Sequence, residues 1–352
     1  MQKTQLRAIW ALLLSLIVVS CAPSPSTHEL SGEAWGTTYR IKIVAQDKTF
    51  DEDAVAQAVR ETLTRLDDEV SNWNPDSEVS RFNALESTDP VALSLGFNLV
   101  MSVAGEVHRQ SDGFLDLTLA PVIELWNFGS GGPQREGQPI APSDAAIEEA
   151  MGRIGQESVI AHDAEARTLA KIDPEATVFL SALAKGAGID TLSEALSNLG
   201  HANYMIEVGG DLIAVGAGPS GKGWRIAIEQ PTAGRREAGE VVALQGLAMA
   251  TSGDYRNYFE EDGVRYSHIL DPQTGRPITH RTASVTVLAE TAVEADAWAT
   301  ALLAAGEGRG MVIAEREGIA ALFIARAGST SDPEFESAAS SSFETLRSQQ
   351  GI

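Results

Sequence analysis

Asp296 and Thr300 stand four residues apart in a stretch with the marks of a helix. Thr291 followed three residues later by Glu294 has the form of a capping box. A helix is therefore predicted to begin near Ala292, run through Leu303 and stop at Gly306. At that spacing the two oxygen-bearing side chains can converge on one point. Val293, Ala297, Ala301 and Ala304 share or border their face. A carboxylate among such neighbours costs several kcal/mol in order of magnitude unless it is paired or metal-bound. Asp296 also lies past the first turn, where the helix's own dipole has faded. A hard cation would satisfy it, and so would a basic side chain; the residues alone leave both open.

The segment before this helix is dense in punctuation. Thr251-Ser252-Gly253-Asp254-Tyr255 has turn character, and a short strand places His268 ahead of a turn carrying Asp271-Pro272 and Gly275. The strand Ala283 to Ala289 then leads into the helix. Elsewhere the histidines are scattered, with His108, His162 and His201 expected at the surface or at helix ends. No histidine pair has zinc spacing on a helix, and no serine sits in a nucleophile-elbow pattern. Gly216-Ala217-Gly218-Pro219-Ser220-Gly221, with Lys222, imitates a phosphate-binding loop. Such loops work only when a helix N-terminus follows, and here the alternating strand Trp224 to Ile228 follows, so a hairpin is expected.

The N-terminus narrows the compartment. Lys3 and Arg7 precede an apolar run from Ala8 to Val19, and Val18-Val19-Ser20-Cys21 has the form of a lipoprotein cleavage box. The run is shorter than the roughly 20 apolar residues of a membrane span. Residues 1–20 are thus expected to be a signal peptide, with Cys21 lipidated and 21–29 a tether to an extracytoplasmic, periplasmic membrane face; inner or outer membrane is left open. Cys21 is the chain's single cysteine, which excludes disulfides, thiolate metal sites and a cysteine nucleophile from the folded part. The formal net charge is −23, and removal of Lys3 and Arg7 with no acid takes it to −25. A surface so acidic repels nucleic acid and anionic lipid heads.

Further along, Glu33 to Ala45 alternates as a strand, Asp51 to Val70 and Phe97 to Gln110 have helical spacing, and Leu180 to Leu199 is expected to be one long helix. Strands at Tyr204 to Val208, Leu212 to Val215, Trp224 to Glu229 and Val241 to Leu244 follow. Helices are interleaved with strands, yet hairpins dominate the second half, which favours an α+β fold. Residues 30–327 are expected to form the ordered body and 328–352 a partly disordered tail in which Ser342 to Leu346 could pack back.

These residues, in this order, resemble the ApbE family of FAD:protein FMN transferases. The resemblance rests on Trp35-Gly36-Thr37-Thr38-Tyr39, Ser80-Arg81-Phe82-Asn83, Asp112-Gly113-Phe114-Leu115-Asp116 leading to Trp126-Asn127-Phe128-Gly129, and Leu180-Ser181-Ala182-Leu183-Ala184-Lys185-Gly186. It continues through Val208-Gly209-Gly210-Asp211, Thr251-Ser252-Gly253-Asp254-Tyr255, Ser267-His268-Ile269-Leu270-Asp271-Pro272 and Ala295-Asp296-Ala297-Trp298-Ala299-Thr300. It implies mixed and antiparallel sheets with packed helices, in two intimately connected subdomains around a flavin cleft. It implies a reaction in which FAD is cleaved, FMN is esterified to a threonine or serine of an acceptor protein and AMP leaves. The acceptor would be a subunit of a membrane-bound redox complex.

By motif position the resemblance places magnesium on Asp296, Thr300 and the carbonyl of Ala182, with Ala299 beside them. It places FAD against Trp35, Trp73, Phe114, Leu115, Asp116, Lys185 and Ile269. A pyrophosphate attacked by a hydroxyl needs charge neutralisation, for which hard oxygen ligands and magnesium are suited. Asp296 and His268 are the catalytic candidates. His268 would deprotonate the acceptor hydroxyl or steady the phosphates, with a structural role beside Asp271 as the alternative. Many family members have an acid where this chain has Phe179, which bears on how the nucleotide end of FAD is held. An FAD pyrophosphatase and a non-catalytic flavin-binding lipoprotein are the competing functions.

Overall fold

Strand β1 (Ser26–Ala34) alternates between half-buried and exposed residues, whereas β6 (Thr282–Ala289) and β7 (Ala320–Arg326) are buried almost throughout. Unbroken burial requires cover on both faces of a sheet, and alternation is what an edge leaves behind. In the computed structural model, which describes residues 26–45, 50–129, 141–232, 237–255, 258–261, 264–327 and 334–349, these strands belong to one eight-stranded sheet. Its other members are β2 (Thr37–Ala45), β3 (Tyr204–Val208), β4 (Asp211–Val215), β5 (Leu247–Gly253) and β8 (Phe335–Ala339). The strands lie side by side in chain order, and every neighbouring pair is antiparallel.

Four helices cover one face. They are α1 (Glu52–Val70), α2 (Leu95–Gln110), α3 (Ala184–Asn198) and α4 (Ala292–Glu317). Helices α3 and α4 lie on the strands, α1 backs α3 and α2 backs α4. Leu66, Phe97, Met101, Ile189 and Leu302 meet Ile206, Val285 and Phe323 in one continuous core, so the two expected subdomains share their interior. Each such side chain contributes about 1.5–3 kcal/mol by leaving water. The opposite face is covered by the hairpin Trp224–Gln230 and Glu237–Leu244, together with α5 (Ser341–Gln349).

On that second face Ser342 to Leu346 packs back, and the packing extends further than expected. The described residues 334–349 are ordered: β8 pairs with β7, and Phe343 is fully buried against Met249 and Leu322. A composition rich in Ser, Glu and Ala hid Phe335 and Ala339, which complete this core together with Phe343 and Leu346. Residues 26–29, assigned to the tether, belong instead to β1, whose Ser26 pairs with Ala45. Cys21 and residues 1–20, the expected signal peptide, lie outside the described residues.

Two helix boundaries also differ. The helix expected to stop at Gly306 breaks there, with φ 71° and ψ 166°, and resumes to Glu317. The His280 ring fills the space where a Cβ on Gly306 would stand 2.5 Å from His280 Cδ2. Thr282 Oγ1 accepts the Glu307 N–H released by the break, at 2.8 Å. The helix expected from Leu180 instead opens with a single 3-10 turn, Leu180–Ala182, breaks at Leu183 and becomes α3 at Ala184. Leu180 and Leu183, on either side of the break, are both fully buried in the core. As expected, the glycine-rich loop Gly216–Lys222 leads into a strand and meets no helix N-terminus.

Candidate active site

A cavity of about 360 Å3 opens between the N-terminal ends of α3 and α4 and the loops of residues 114–119 and 251–255. It brings together Phe114, Leu115, Asp116, Phe179, Ala182, Lys185, His268, Ile269, Asp296 and Thr300, residues far apart in sequence. Ser181, Thr251, Ser252 and Tyr255 join them. A larger groove of about 890 Å3 between α2, α4 and α5 contains none of the predicted residues.

The charged centre of the cleft is Lys185. Its ammonium donates to both oxygens of Asp296, at 3.0 and 3.1 Å, and to Asp211 Oδ2. The basic-partner alternative for Asp296 is therefore realised. Asp296 Oδ2 also accepts the Gly186 N–H at 3.1 Å, so the N-terminus of α3, which lacks a side-chain cap of its own, is closed by a carboxylate from α4. Asp211 is held by the Thr251 N–H on Oδ1, at 3.0 Å. Both carboxylates are only 3% exposed. Burial pushes the Asp296 carboxyl up to about 7, Lys185 pulling it down and Asp211 pushing it up. Desolvation alone would lower the Lys185 ammonium, but the two carboxylates outweigh it and raise it. The cluster holds more negative than positive charge in a poorly solvated place, and so favours cations.

The donor set around Asp296 fits a hard divalent cation. Thr300 Oγ1 lies one turn along the same helix, 3.2 Å from Ser252 Oγ, and Ala182 lines the same wall. Carboxylate, hydroxyl and carbonyl oxygens are the ligands magnesium prefers. Among the described residues no three His, Cys, Asp or Glu side chains cluster as a metal site, and this mixed oxygen set is a different kind of arrangement.

The aromatic wall is built by the turn Asp112-Gly113, both at positive φ, which swings Phe114 and Leu115 into the core and the cleft. His108 is no idle helix-end residue: its Nδ1 bonds the Leu115 carbonyl at 2.6 Å. Arg309, from the second half of α4, stacks 4.5 Å from the Phe114 ring and donates to Gln273 at 2.9 Å. The Asp116 carboxylate is absorbed locally, accepting from Thr118 N at 2.7 Å and Gln156 N at 3.2 Å. Phe179 is fixed by its N–H on Leu117 O, 2.7 Å, and by two asparagines on its flanks. Asn83 brackets Val178 through N–H and C=O, and Asn72 takes the Leu180 N–H at 2.6 Å. The Ser80–Asn83 motif thus clamps, through Asn83, the extended segment that carries Phe179.

His268 lines the cavity on the opposite side, edge-on to Phe128 at 6.3 Å. Phe128, Phe259, Tyr266 and Trp126 form a continuous aromatic series behind it, and Trp126 Nε1 donates to Gly275 O at 2.8 Å. A separate small core, with Leu270, Val122 and Ile147, supports this turn. Asp271 Oδ1 accepts from Gln273 N within its own turn, at 2.8 Å.

Three predicted residues do not line the cavity. The Trp35 ring lies on α3, where a Cβ on Gly188 would come within 2.3 Å of it. Ala299 is fully buried in the core. Trp73 is at the rim, 55% exposed, with its ring 6.4 Å from Phe179 in edge contact. The residues missed by sequence reasoning are Asp211, Ser252 and Arg309. For Asp211 there was a signal, an acid closing Val208-Gly209-Gly210 at a strand start. For Ser252 the signal was the Thr251–Tyr255 motif itself; for Arg309 there was none, because its partners Phe114 and Gln273 lie far away in the chain.

This α+β fold sets an apolar and aromatic cleft beside the buried Lys185–Asp211–Asp296 cluster, the layout of a small-molecule site with a few convergent polar groups. Residues 35–323 match the ApbE family. The chain is 40% identical to the FAD:protein FMN transferase of Vibrio cholerae over 340 residues, covering 96% of this chain and 98% of that one. It is 36% identical to that of Haemophilus influenzae, covering 98% of each. The solved flavin transferase ApbE from Vibrio cholerae superposes with a TM-score of 0.81 at 38% identity, covering 91% of this chain and 99% of that one. The apo form of the Pseudomonas stutzeri flavinyl transferase ApbE also gives 0.81, at 36% identity, covering 92% and 97%. The chain belongs to the ApbE family.

Proposed function

We propose that this protein is an FAD:protein FMN transferase, cleaving the pyrophosphate of FAD, joining FMN to a threonine or serine hydroxyl of an acceptor protein and releasing AMP. The observation that carries this reading is the meeting, in one cleft, of an aromatic wall with the Asp296–Thr300 oxygen pair. Phe114, Leu115 and Ile269 would cover one aromatic system of FAD, and Trp73 with Phe179 at the rim would meet the other. The pyrophosphate would then lie against Lys185.

Magnesium, when bound, would be held by Asp296, Thr300 and the Ala182 carbonyl and would neutralise charge on the phosphates. His268, across the cavity, takes the proton of the acceptor hydroxyl as its oxygen forms the new bond to phosphorus. The bond to the AMP oxygen breaks, and AMP carries the negative charge away. Lipidation at Cys21 would hold the enzyme at the periplasmic face of a membrane, and the acceptor would be a subunit of a membrane redox complex there.

Mass spectrometry of a candidate acceptor incubated with enzyme, FAD and magnesium tests the reading. A covalent FMN adduct on a threonine or serine is expected. Free FMN and AMP beside an unmodified acceptor would make the protein a pyrophosphatase, and FAD left intact would make it a flavin carrier.

A further inference from the structure

We propose that Asp211 is a positioning residue for the cation site. It anchors Lys185 so that the ammonium neutralises Asp296 in the metal-free protein and withdraws onto Asp211 when a divalent cation takes Asp296. This rests on Asp296 being the metal carboxylate.

The geometry is one of competition. An ammonium has three protons to donate, and Lys185 spends them on three carboxylate oxygens: one of Asp211 and both of Asp296. The remaining capacity of Asp296 Oδ2 is drawn on by the Gly186 N–H. An incoming cation therefore meets an Asp296 whose oxygens both already face a positive charge, and at least one of those bonds must open.

The two acids are not equivalent in what they can do next. Asp211 is tied to β5 through the Thr251 N–H, at 3.0 Å, so it cannot follow the lysine. Asp296 is tied to the start of α3 and stands one turn from Thr300, on the side where further oxygen donors lie. Lys185 is the mobile partner: its side chain keeps 34% of its surface, against 4% for each acid, and faces the cavity.

Charge balance supports the same exchange. Two buried carboxylates without a counter-ion would repel each other in a poor dielectric, which explains a lysine in the metal-free cluster. Once a divalent cation satisfies Asp296, a lysine still bound there would be repelled by the metal. Bound to Asp211 alone, it remains paired and lies where it can meet substrate phosphate. Asp211 thus affects the metal through Lys185, without being a ligand.

Opposite effects of two substitutions follow. Asp211→Asn leaves Lys185 with Asp296 as its sole carboxylate, so the lysine competes harder and cation affinity falls. Lys185→Met removes the competitor, so affinity rises while the metal-free protein loses stability.

The test is a titration of the mature full-length protein, free of FAD, with Mn2+, followed by the loss of the free-ion electron paramagnetic resonance signal. Thermal unfolding is measured with and without Mn2+. The expected results are about tenfold weaker binding for Asp211→Asn and about tenfold tighter binding for Lys185→Met, with a larger Mn2+-induced rise in Tm for the latter. Asp211→Glu, which restores the carboxylate, should recover part of the lost affinity, whereas a merely structural role for Asp211 would not yield tighter binding on removal of its lysine. Unchanged affinity in Asp211→Asn overturns the proposal even if Lys185→Met fails to fold. Weaker or unchanged binding in a folded Lys185→Met overturns it as well. Asp296→Asn separates the two levels: retained Mn2+ binding there would remove the metal assignment and this inference together, whereas its loss, with no effect at Asp211 or Lys185, would remove only the inference.

Discussion

Gly186 and Val293 meet backbone to backbone: a Cβ on Gly186 would stand 2.6 Å from Val293 Cα and 2.4 Å from the Ala292 carbonyl oxygen. This close crossing of α3 and α4 lets the Gly186 N–H reach Asp296 Oδ2. Gly186→Ala should force the helices apart, at a cost typical of overpacking, about 1–3 kcal/mol. Thermal unfolding should show a lowered Tm. AMP release should fall at least about tenfold at a temperature where the variant is still folded, because the two halves of the charged cluster sit on different helices. A variant with wild-type stability and activity would contradict the crossing.

On the other side of the same junction, Asp190 of α3 caps α4, accepting from Ala292 N at 2.8 Å and Val293 N at 2.9 Å. Burial raises its carboxyl to about 6, against the pull of those two N–H groups. Because the folded-state value lies above the unfolded 3.8, the stability linked to the protonated form is fully present below that value and is lost as pH rises through about 6. Asp190→Asn does not titrate. The stability gap between wild type and this variant, from denaturant unfolding, should therefore shrink by about 1–3 kcal/mol between pH 4 and pH 7. A gap that widens with pH would contradict the raised value.

Trp73 and Phe179 make a different kind of prediction. An aromatic platform contributes about 1–3 kcal/mol per stacked base. Trp73→Ala should raise KM for FAD about tenfold and leave kcat within about threefold, since the rim does not touch the reacting atoms. Their edge contact couples the two rings, so the double variant with Phe179→Ala should lose less than the sum of the single losses. A fall confined to kcat would place this pair elsewhere in the reaction.

Much of the site was legible in the chain because local signals marked it. The Thr291–Glu294 box set the start of α4 where the structure has it, with the Glu294 N–H 3.4 Å from Thr291 Oγ1, and thereby put Asp296 and Thr300 on one cleft-facing turn. The glycine-rich loop before Trp224 was recognisable as no phosphate site from the strand that follows. What escaped depends on distant partners. Gly306 has the look of a helix stop, and nothing near it announces that Thr282 and His280 support a break from which the helix resumes. Asp116, assigned to FAD by motif position, does line the cleft, and only the fold shows that its carboxylate also holds Thr118 and Gln156. Asp211 and Asp296 are far apart in sequence, and only folding shows that one lysine serves both.

The most direct measurement is AMP release from FAD by the protein, with magnesium or with chelator, in the presence and absence of an acceptor domain, for wild type and Asp296→Asn. Wild type should release AMP in amounts matching FMN-modified acceptor, only when magnesium and acceptor are both present, and Asp296→Asn should release none. AMP release at the full rate from Asp296→Asn, or in chelator, would contradict that expectation.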